Sequence, residues 1–269
     1  MSHKFKIVVL AKQVPDTRSV GKDAMKEDGT VNRAALPAIF NPDDMNALEQ
    51  ALRLKERYPD ATVELLTMGP VRAAEMIREG LFRGADGGIL LTDRKFAGAD
   101  TLATSYALAQ ALGKMQPNLV IAGRQAIDGD TAQVGPQVAE KLNWPQVTYA
   151  EEILGIQDER ITIKRRLEDG VELVSAPLPL VITVHGSAPQ CRPRHAKRLL
   201  RYKKAQITQW GVAEVGGDEQ QYGLSGSPTR VKKIENIVFQ AKESRRIGAS
   251  DPEINDLMSE LMRNHTIGG

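Results

Sequence analysis

The stretch Ala122-Gly123-Arg124-Gln125-Ala126-Ile127-Asp128-Gly129-Asp130-Thr131-Ala132-Gln133-Val134-Gly135-Pro136-Gln137 combines small residues, two carboxylates and the start of a helical pattern. Glycines let a ligand approach the backbone closely, and Gly129 is expected to serve that approach or a positive φ. A helix N-terminus presents unpaired N–H groups and the positive end of the helix dipole, which suits a phosphate. Thr131 and Gln133 can add side-chain hydrogen bonds. Asp128 and Asp130 sit less comfortably beside phosphate and better suit capping N–H groups or ribose hydroxyls. A capped strand-to-helix loop that binds nothing is the competing reading, and this segment alone does not choose between them.

The elements around it follow an alternating pattern. Short β-branched or Leu-rich runs at Lys6–Ala11, Thr62–Met68, Gly88–Leu91 and Asn118–Ala122 are separated by amphipathic stretches, the mark of βαβ units and a parallel sheet. Asn41-Pro42-Asp43-Asp44 reads as a helix start, with a cap, a first-turn proline and two dipole-matched carboxylates. Met45, Leu48, Leu52 and Tyr58 continue its apolar face. A second helix begins near Pro70 and ends at Gly84; a third spans Thr101–Leu112, closed by Gly113. Ligands of such sheets bind at the carboxyl ends of the strands, which directs attention to Ala11–Thr17, Met68–Pro70, Thr92–Thr101 and Gly123–Pro136.

After Trp144-Pro145 the texture becomes alternating. Ile161–Lys164, a turn at Glu168-Asp169-Gly170 and Val171–Val174 predict a β-hairpin, followed by a buried strand over Pro177–Val184. From Ser187 onward periodicity fades and glycine-rich loops appear. The expected fold is therefore α/β: a doubly wound, mostly parallel Rossmann-like sheet with a β-hairpin insertion and an extended C-terminal arm. The expected division is a nucleotide-binding domain over 1–186 and a docking segment with arm over 187–269.

The bulk numbers narrow the class. A length of 269 residues supports one large domain with an appendage, or two modest ones, and the charged fraction of 26% is ordinary for a globular chain. A net charge of +2 and 4% aromatics do not suit a nucleic-acid partner. No apolar run approaches the roughly 20 residues of a membrane span, no export signal is visible, and a single cysteine, Cys191, excludes an internal disulfide, so the cytoplasm is the expected compartment.

Several chemistries lack their residues. No Gly-Lys-Ser or Gly-Lys-Thr phosphate loop occurs, and no G-x-G-x-x-G follows the first strand. His3, His185, His195 and His265 lack metal-ligand spacing, so no metal site is expected. Basic neighbours could lower the Cys191 pKa, although solitary cysteines are usually inert. Arg192, Arg194, His195, Lys197, Arg198, Arg201, Lys203 and Lys204 form a basic stretch. Such runs are mostly solvated faces; the sharper alternative is a docking surface for an acidic partner or a flavin pyrophosphate.

Taken together, Ala11-Lys12-Gln13-Val14-Pro15-Asp16-Thr17, Asn41-Pro42-Asp43-Asp44-Met45-Asn46-Ala47, Leu66-Thr67-Met68-Gly69-Pro70 and Gly123–Asp130 resemble the beta subunit of electron transfer flavoproteins, in order over roughly residues 5 to 185. The resemblance implies a heterodimer whose alpha subunit carries a redox-active FAD. The beta subunit would contribute a nucleotide site and an arm around its partner. Ordinary members hold structural AMP in the beta site; electron-bifurcating members hold a second FAD there.

Carried over by residue, the resemblance puts cofactor contacts at Leu10, Ala11, Asn41, Asp44, Met68, Gly123, Ala126, Ile127, Asp128, Gly129, Asp130, Thr131, Ala132, Gln133, Val134 and Gln137, with no catalytic side chain. The segment Thr92–Thr101 looks like that of the bifurcating branch, whose beta subunit also receives NADH, which points to Asp93, Phe96, Ala97, Gly98, Asp100 and Thr101. A glycine-containing loop capping the next helix at Asp100 is the simpler reading of that segment.

On the bifurcating reading, NADH is the donor, ferredoxin or flavodoxin the low-potential acceptor, and a flavin-dependent dehydrogenase, of the acyl-CoA type in many relatives, takes electrons through the alpha-subunit FAD. NADH oxidation would then require the complex. The chain departs from many members at Pro189-Gln190-Cys191-Arg192-Pro193-Arg194-His195, which leaves the dehydrogenase-docking role there untransferred. A stand-alone nucleotide sensor is the reading of another class, and a nucleic-acid binder resting on Arg192–Lys204 comes last.

Overall fold

The computed structural model describes residues 5–16, 37–229 and 246–264. The chain divides into a large unit, Met1–Lys232, and a small one, Lys233–Gly269.

The large unit is built on a nine-stranded sheet. Its strands are β1 (Lys6–Leu10), β4 (Thr62–Met68), β5 (Gly87–Leu91), β6 (Leu119–Gly123), β7 (Gln146–Gln157), β8 (Arg160–Leu167), β9 (Gly170–Pro177), β10 (Leu180–Val184) and β11 (Thr208–Trp210). They lie in the order β11-β5-β4-β1-β6-β10-β7-β8-β9. Pairing is parallel from β11 through β7 and antiparallel from β7 to β9, so the predicted hairpin is β8–β9 paired to a long neighbour. A separate two-stranded ribbon pairs β2 (Gln13–Pro15) with β3 (Ala38–Phe40).

Strand periodicity divides the core in two. Ile7 and Val9, Leu119 and Ile121 point to one side, where α1 (Pro42–Arg57) and α2 (Ala74–Arg83) pack. Val8 and Leu10, Val120 and Ala122 point to the other, against α3 (Thr101–Met115) and α4 (Val134–Leu142). Strands buried on both faces read as continuous apolar runs, which is why Lys6–Ala11 and Asn118–Ala122 stood out in the sequence.

Three details differ from expectation. The third helix continues through Gly113 and stops at Gln116, whose φ of 50° is left-handed; Gly113 has open space around it and does not break the turn. The strand over Pro177–Val184 is two strands, because Pro177 ends β9 and Pro179 lacks an N–H to extend a ladder. The boundary expected at 186/187 falls inside the large unit. Here α5 (Ala196–Tyr202) packs on α2, β11 extends the sheet beside β5, and α6 (Val212–Val215) buries Val212 and Val215. Their brevity hid them: elements of seven, three and four residues show too little of a period to be read.

Of the small unit, one helix is described, α7 (Asp251–Arg263), which starts with Pro252 in its first turn and carries Asp251 and Glu253 at the dipole's positive end. Among the described residues no helix is long and apolar enough to cross a membrane.

Candidate functional site

A cavity of about 390 Å³ opens at the carboxyl ends of β1, β4 and β6, a size within the range of small-molecule sites, roughly 300–1,000 Å³. Its walls include Leu10, Ala11, Asp44, Met68, Gly123, Ala126, Gly129, Asp130, Thr131, Ala132, Gln133 and Val134, twelve of the residues expected from the sequence. Lys12, Leu66, Ala99, Thr104, Leu108, Ala122, Arg124, Gln125 and Gly135 line it as well. Asn41, Ile127, Asp128 and Gln137 do not.

The loop from β6 to α4 has a backbone geometry of the kind that suits an anion. Asp130 and Ala132 hold left-handed φ values of 48° and 52°, while Gln133, the residue capping α4, is right-handed at φ −95°, ψ −31°. A left-handed residue followed by a right-handed one turns successive N–H groups to one side, making a concavity for an anion. Among the described residues, the N–H groups of Thr131, Ala132, Gln133, Val134 and Gly135 meet no protein acceptor, and no side chain caps α4. The positive φ expected at Gly129 belongs instead to these two non-glycine residues, and left-handed alanine is an uncommon arrangement that concentrates at functional sites.

Side chains expected to touch ligand are partly committed to shaping the cavity. Asn41 does not cap α1: its Nδ2 donates to the Gln125 carbonyl at 2.8 Å and its Oδ1 accepts the Ile127 N–H at 3.2 Å, pinning the loop. Asp44 accepts the Lys12 N–H at 2.8 Å and the Gly123 N–H at 3.0 Å, so one buried carboxylate ties together the ends of β1 and β6. Burial pushes the Asp44 pKa up to about 7 against the pull of those donors and the Asn41 side chain. Asp128 pairs with Lys12 Nζ at 2.7 Å, and Asp130 accepts from Gln125 Nε2 at 2.7 Å. Gln133 Oε1 accepts from Thr101 Oγ1 at 2.8 Å, and Gln137 donates to the same hydroxyl at 3.5 Å while its own Oε1 is buried without a partner among the described residues.

Comparison with known proteins decides the lineage. A family model described as electron transfer flavoprotein domain matches residues 28–215. The chain is 46% identical over 237 residues, 86% of its length and 87% of the relative's, to the electron transfer flavoprotein subunit beta of Megasphaera elsdenii. The chain belongs to the electron transfer flavoprotein beta-subunit family. It is also 42% identical over 265 residues, 98% of this chain and 100% of the relative, to the caffeyl-CoA reductase-Etf complex subunit CarD of Acetobacterium woodii. With the acryloyl-CoA reductase electron transfer subunit gamma of Anaerotignum propionicum it shares 41% over 277 residues, 98% of this chain and 100% of that one.

In this electron transfer flavoprotein subunit the segment expected to meet NADH splits. Asp100 and Thr101 line the cavity. Asp100 also caps α3, accepting from the Leu102 and Ala103 N–H groups, and takes the Thr229 hydroxyl and N–H. Burial works to raise its pKa, but these donors outweigh it and hold the carboxyl below its usual range. Asp93, Phe96, Ala97 and Gly98 lie away from the cavity and seat residues 211–229. Val212 donates to Asp93 at 3.1 Å, Leu224 donates to the Ala97 carbonyl at 3.1 Å, and the Phe96 and Tyr222 rings meet edge to face at 5.2 Å.

The basic stretch is likewise absorbed into the fold in part. Arg192 contacts Glu49 and Glu56 on α1, and Arg194 contacts Glu79 on α2. Burial pushes the half-buried Cys191 thiol up to about 11, overriding the neighbouring Arg83, so the basic surroundings do not activate it. Among the described residues no three His, Cys, Asp or Glu side chains are placed to hold a metal ion.

Proposed function

We propose that this chain, as an electron transfer flavoprotein beta subunit, holds the adenine nucleotide portion of an FAD in the cavity between β1, β4 and β6, within a heterodimer whose alpha subunit carries a second FAD. The observation that carries the reading is the run of five N–H groups, Thr131 to Gly135, that meet no acceptor among the described residues at the uncapped start of α4. Together with the helix dipole it fits phosphate oxygens. The flavin would supply the redox chemistry, taking hydride from NADH and delivering electrons to ferredoxin or flavodoxin and, through the alpha-subunit FAD, to a dehydrogenase. The protein's own part is to fix the nucleotide. Leu10, Leu66 and Leu108 give the cavity an apolar wall, and Asp44 and Asn41 hold the strand end and the loop at the spacing the ligand needs.

Two relatives are named for reductases of CoA thioesters, caffeyl-CoA and acryloyl-CoA, which supports an acyl-CoA-type dehydrogenase as the electron partner here. A second reading, structural AMP in the same cavity, is favoured by one observation. The turn Asp93–Gly98 is occupied by residues 211–229, which leaves Asp100 and Thr101 alone of the expected NADH contacts at the cavity. Denaturing the co-purified heterodimer and counting released nucleotides separates the two: two FAD are expected, and one FAD with one AMP would overturn the first reading in favour of the second.

A further inference from the structure

Lys12 lies in the strand-end segment Ala11–Thr17 but not among the residues expected to touch the cofactor, and its main chain is held on both sides. Its N–H donates to Asp44 and its carbonyl accepts the Asn41 N–H at 3.0 Å. From that anchor the side chain, 48% exposed, crosses to Asp128 on the loop. Lys12 lines the cavity whereas Asp128 does not. The charged groups on the cavity wall are Lys12, Arg124, Asp44, Asp100 and Asp130. Each carboxylate has its own donor: Asp44 the two strand-end N–H groups, Asp100 the start of α3 and Thr229, Asp130 the Gln125 amide. Arg124 faces Asp43 in a longer ion pair, Nε 3.7 Å from Oδ2, and both atoms are buried without a hydrogen bond among the described residues. Lys12 is the more exposed of the two wall cations, 48% against 31% for Arg124, and its partner carboxylate, 26% exposed, lies outside the cavity.

We infer that Lys12 is the cation that engages the ligand's phosphate and that its pairing with Asp128 is a resting latch the phosphate displaces. An exposed ion pair is held weakly, because solvent screens it and two side chains lose rotamer freedom. The phosphate of AMP, or the diphosphate of FAD taken as a whole, carries more charge than the carboxylate and accepts charge-assisted hydrogen bonds, so exchange of partners favours the bound state. The latch makes the site selective for phosphorylated ligands: unphosphorylated adenosine gives Lys12 nothing to exchange for.

The inference rests on the nucleotide reading above, and its test separates the two. Heterodimer freed of bound nucleotide is titrated calorimetrically with AMP and with adenosine, as wild type, Lys12→Met and Asp128→Asn. Lys12→Met is expected to weaken AMP by about tenfold or more and to leave adenosine unchanged. Asp128→Asn is expected to keep AMP affinity or tighten it. Equal loss of AMP and adenosine in Lys12→Met, no loss of either, or an Asp128→Asn loss matching that of Lys12→Met overturns the assignment of Lys12. Wild type that binds neither ligand overturns the nucleotide reading itself.

Discussion

The Asp44 carboxylate accepts the Gly123 backbone N–H at 3.0 Å across 79 residues of sequence, joining the first turn of α1 to the end of β6. Its other oxygen takes the Lys12 N–H, so both acceptors face donors. Asp44→Asn would turn an amide NH2 toward one of them. The expected cost is about 1–3 kcal/mol of stability, read by urea unfolding, with accelerated nucleotide loss.

That cost should depend on pH. Burial raises the Asp44 pKa from 3.8 to about 7, so the ionised form is disfavoured by folding. Asp44 therefore stabilises the fold most below its unfolded pKa, and its contribution falls as pH rises from about 4 to about 7. The stability gap between wild type and Asp44→Asn should shrink over that window. A gap that stays constant contradicts the shift.

Gly123 and Gly129 should respond oppositely to substitution. A Cβ at Gly123 would lie 2.6 Å from backbone atoms of Asp43 and Asp44, whereas one at Gly129 meets no protein atom within 4 Å. Gly123→Ala is expected to lose about 1–3 kcal/mol of stability through overpacking. Gly129→Val should leave stability within about 0.5 kcal/mol but lower nucleotide retention, because the side chain enters space beside the ligand. Unchanged occupancy in Gly129→Val would remove that residue from the site.

Much of this was legible in the chain because physical signals coincided. Strands such as Val8-Val9-Leu10 are buried on both faces and announce themselves, and Pro42 followed by two carboxylates marks α1. The family motifs delivered the cavity residues. What escaped notice was long-range use of polar side chains: a cap-like Asn41 that binds a loop 84 residues away has the same sequence signature as a true cap. Lys12 fell in a segment the sequence singled out, but its pairing with Asp128 stayed hidden because it depends on where β1 ends relative to the loop. The strand β11 is three residues long and exists through its neighbour β5, so no period could reveal it.

The structural use of the basic stretch predicts a stability defect separate from partner docking. Arg192 donates to Glu49, a glutamate only 4% exposed, and to Glu56. Removing the arginine leaves a buried carboxylate without its main donor, although Arg53 still reaches it. Arg192→Met should destabilise by about 1–3 kcal/mol, and Glu49→Gln in addition should recover part of the loss. Thermal melts of the two single variants and the double variant measure the coupling; strict additivity would show that the pair does not act as a unit.

A second carboxylate shifts the other way. Glu151 on β7 accepts from Ser187 and Arg166 and lies 3.5 Å from Lys164, and these donors lower its pKa from 4.5 to about 2 despite some burial. A depressed carboxylate stabilises above its unfolded pKa and loses that contribution as pH falls toward the folded value. Glu151 should therefore support the fold fully above about pH 4.5 and progressively less down to about pH 2, the reverse of Asp44. Glu151→Gln should be less stable than wild type at pH 6 and converge with it under acid, as followed by urea unfolding at successive pH values. Because Ser187 follows directly on the β10 end through His185, whose Nδ1 lies 2.8 Å from the Ser187 hydroxyl, the same variant should loosen the corner where the chain leaves the sheet. Faster amide exchange at residues 185–188, with the cavity loop unchanged, would show that loosening; uniform exchange would assign the effect to the whole unit instead.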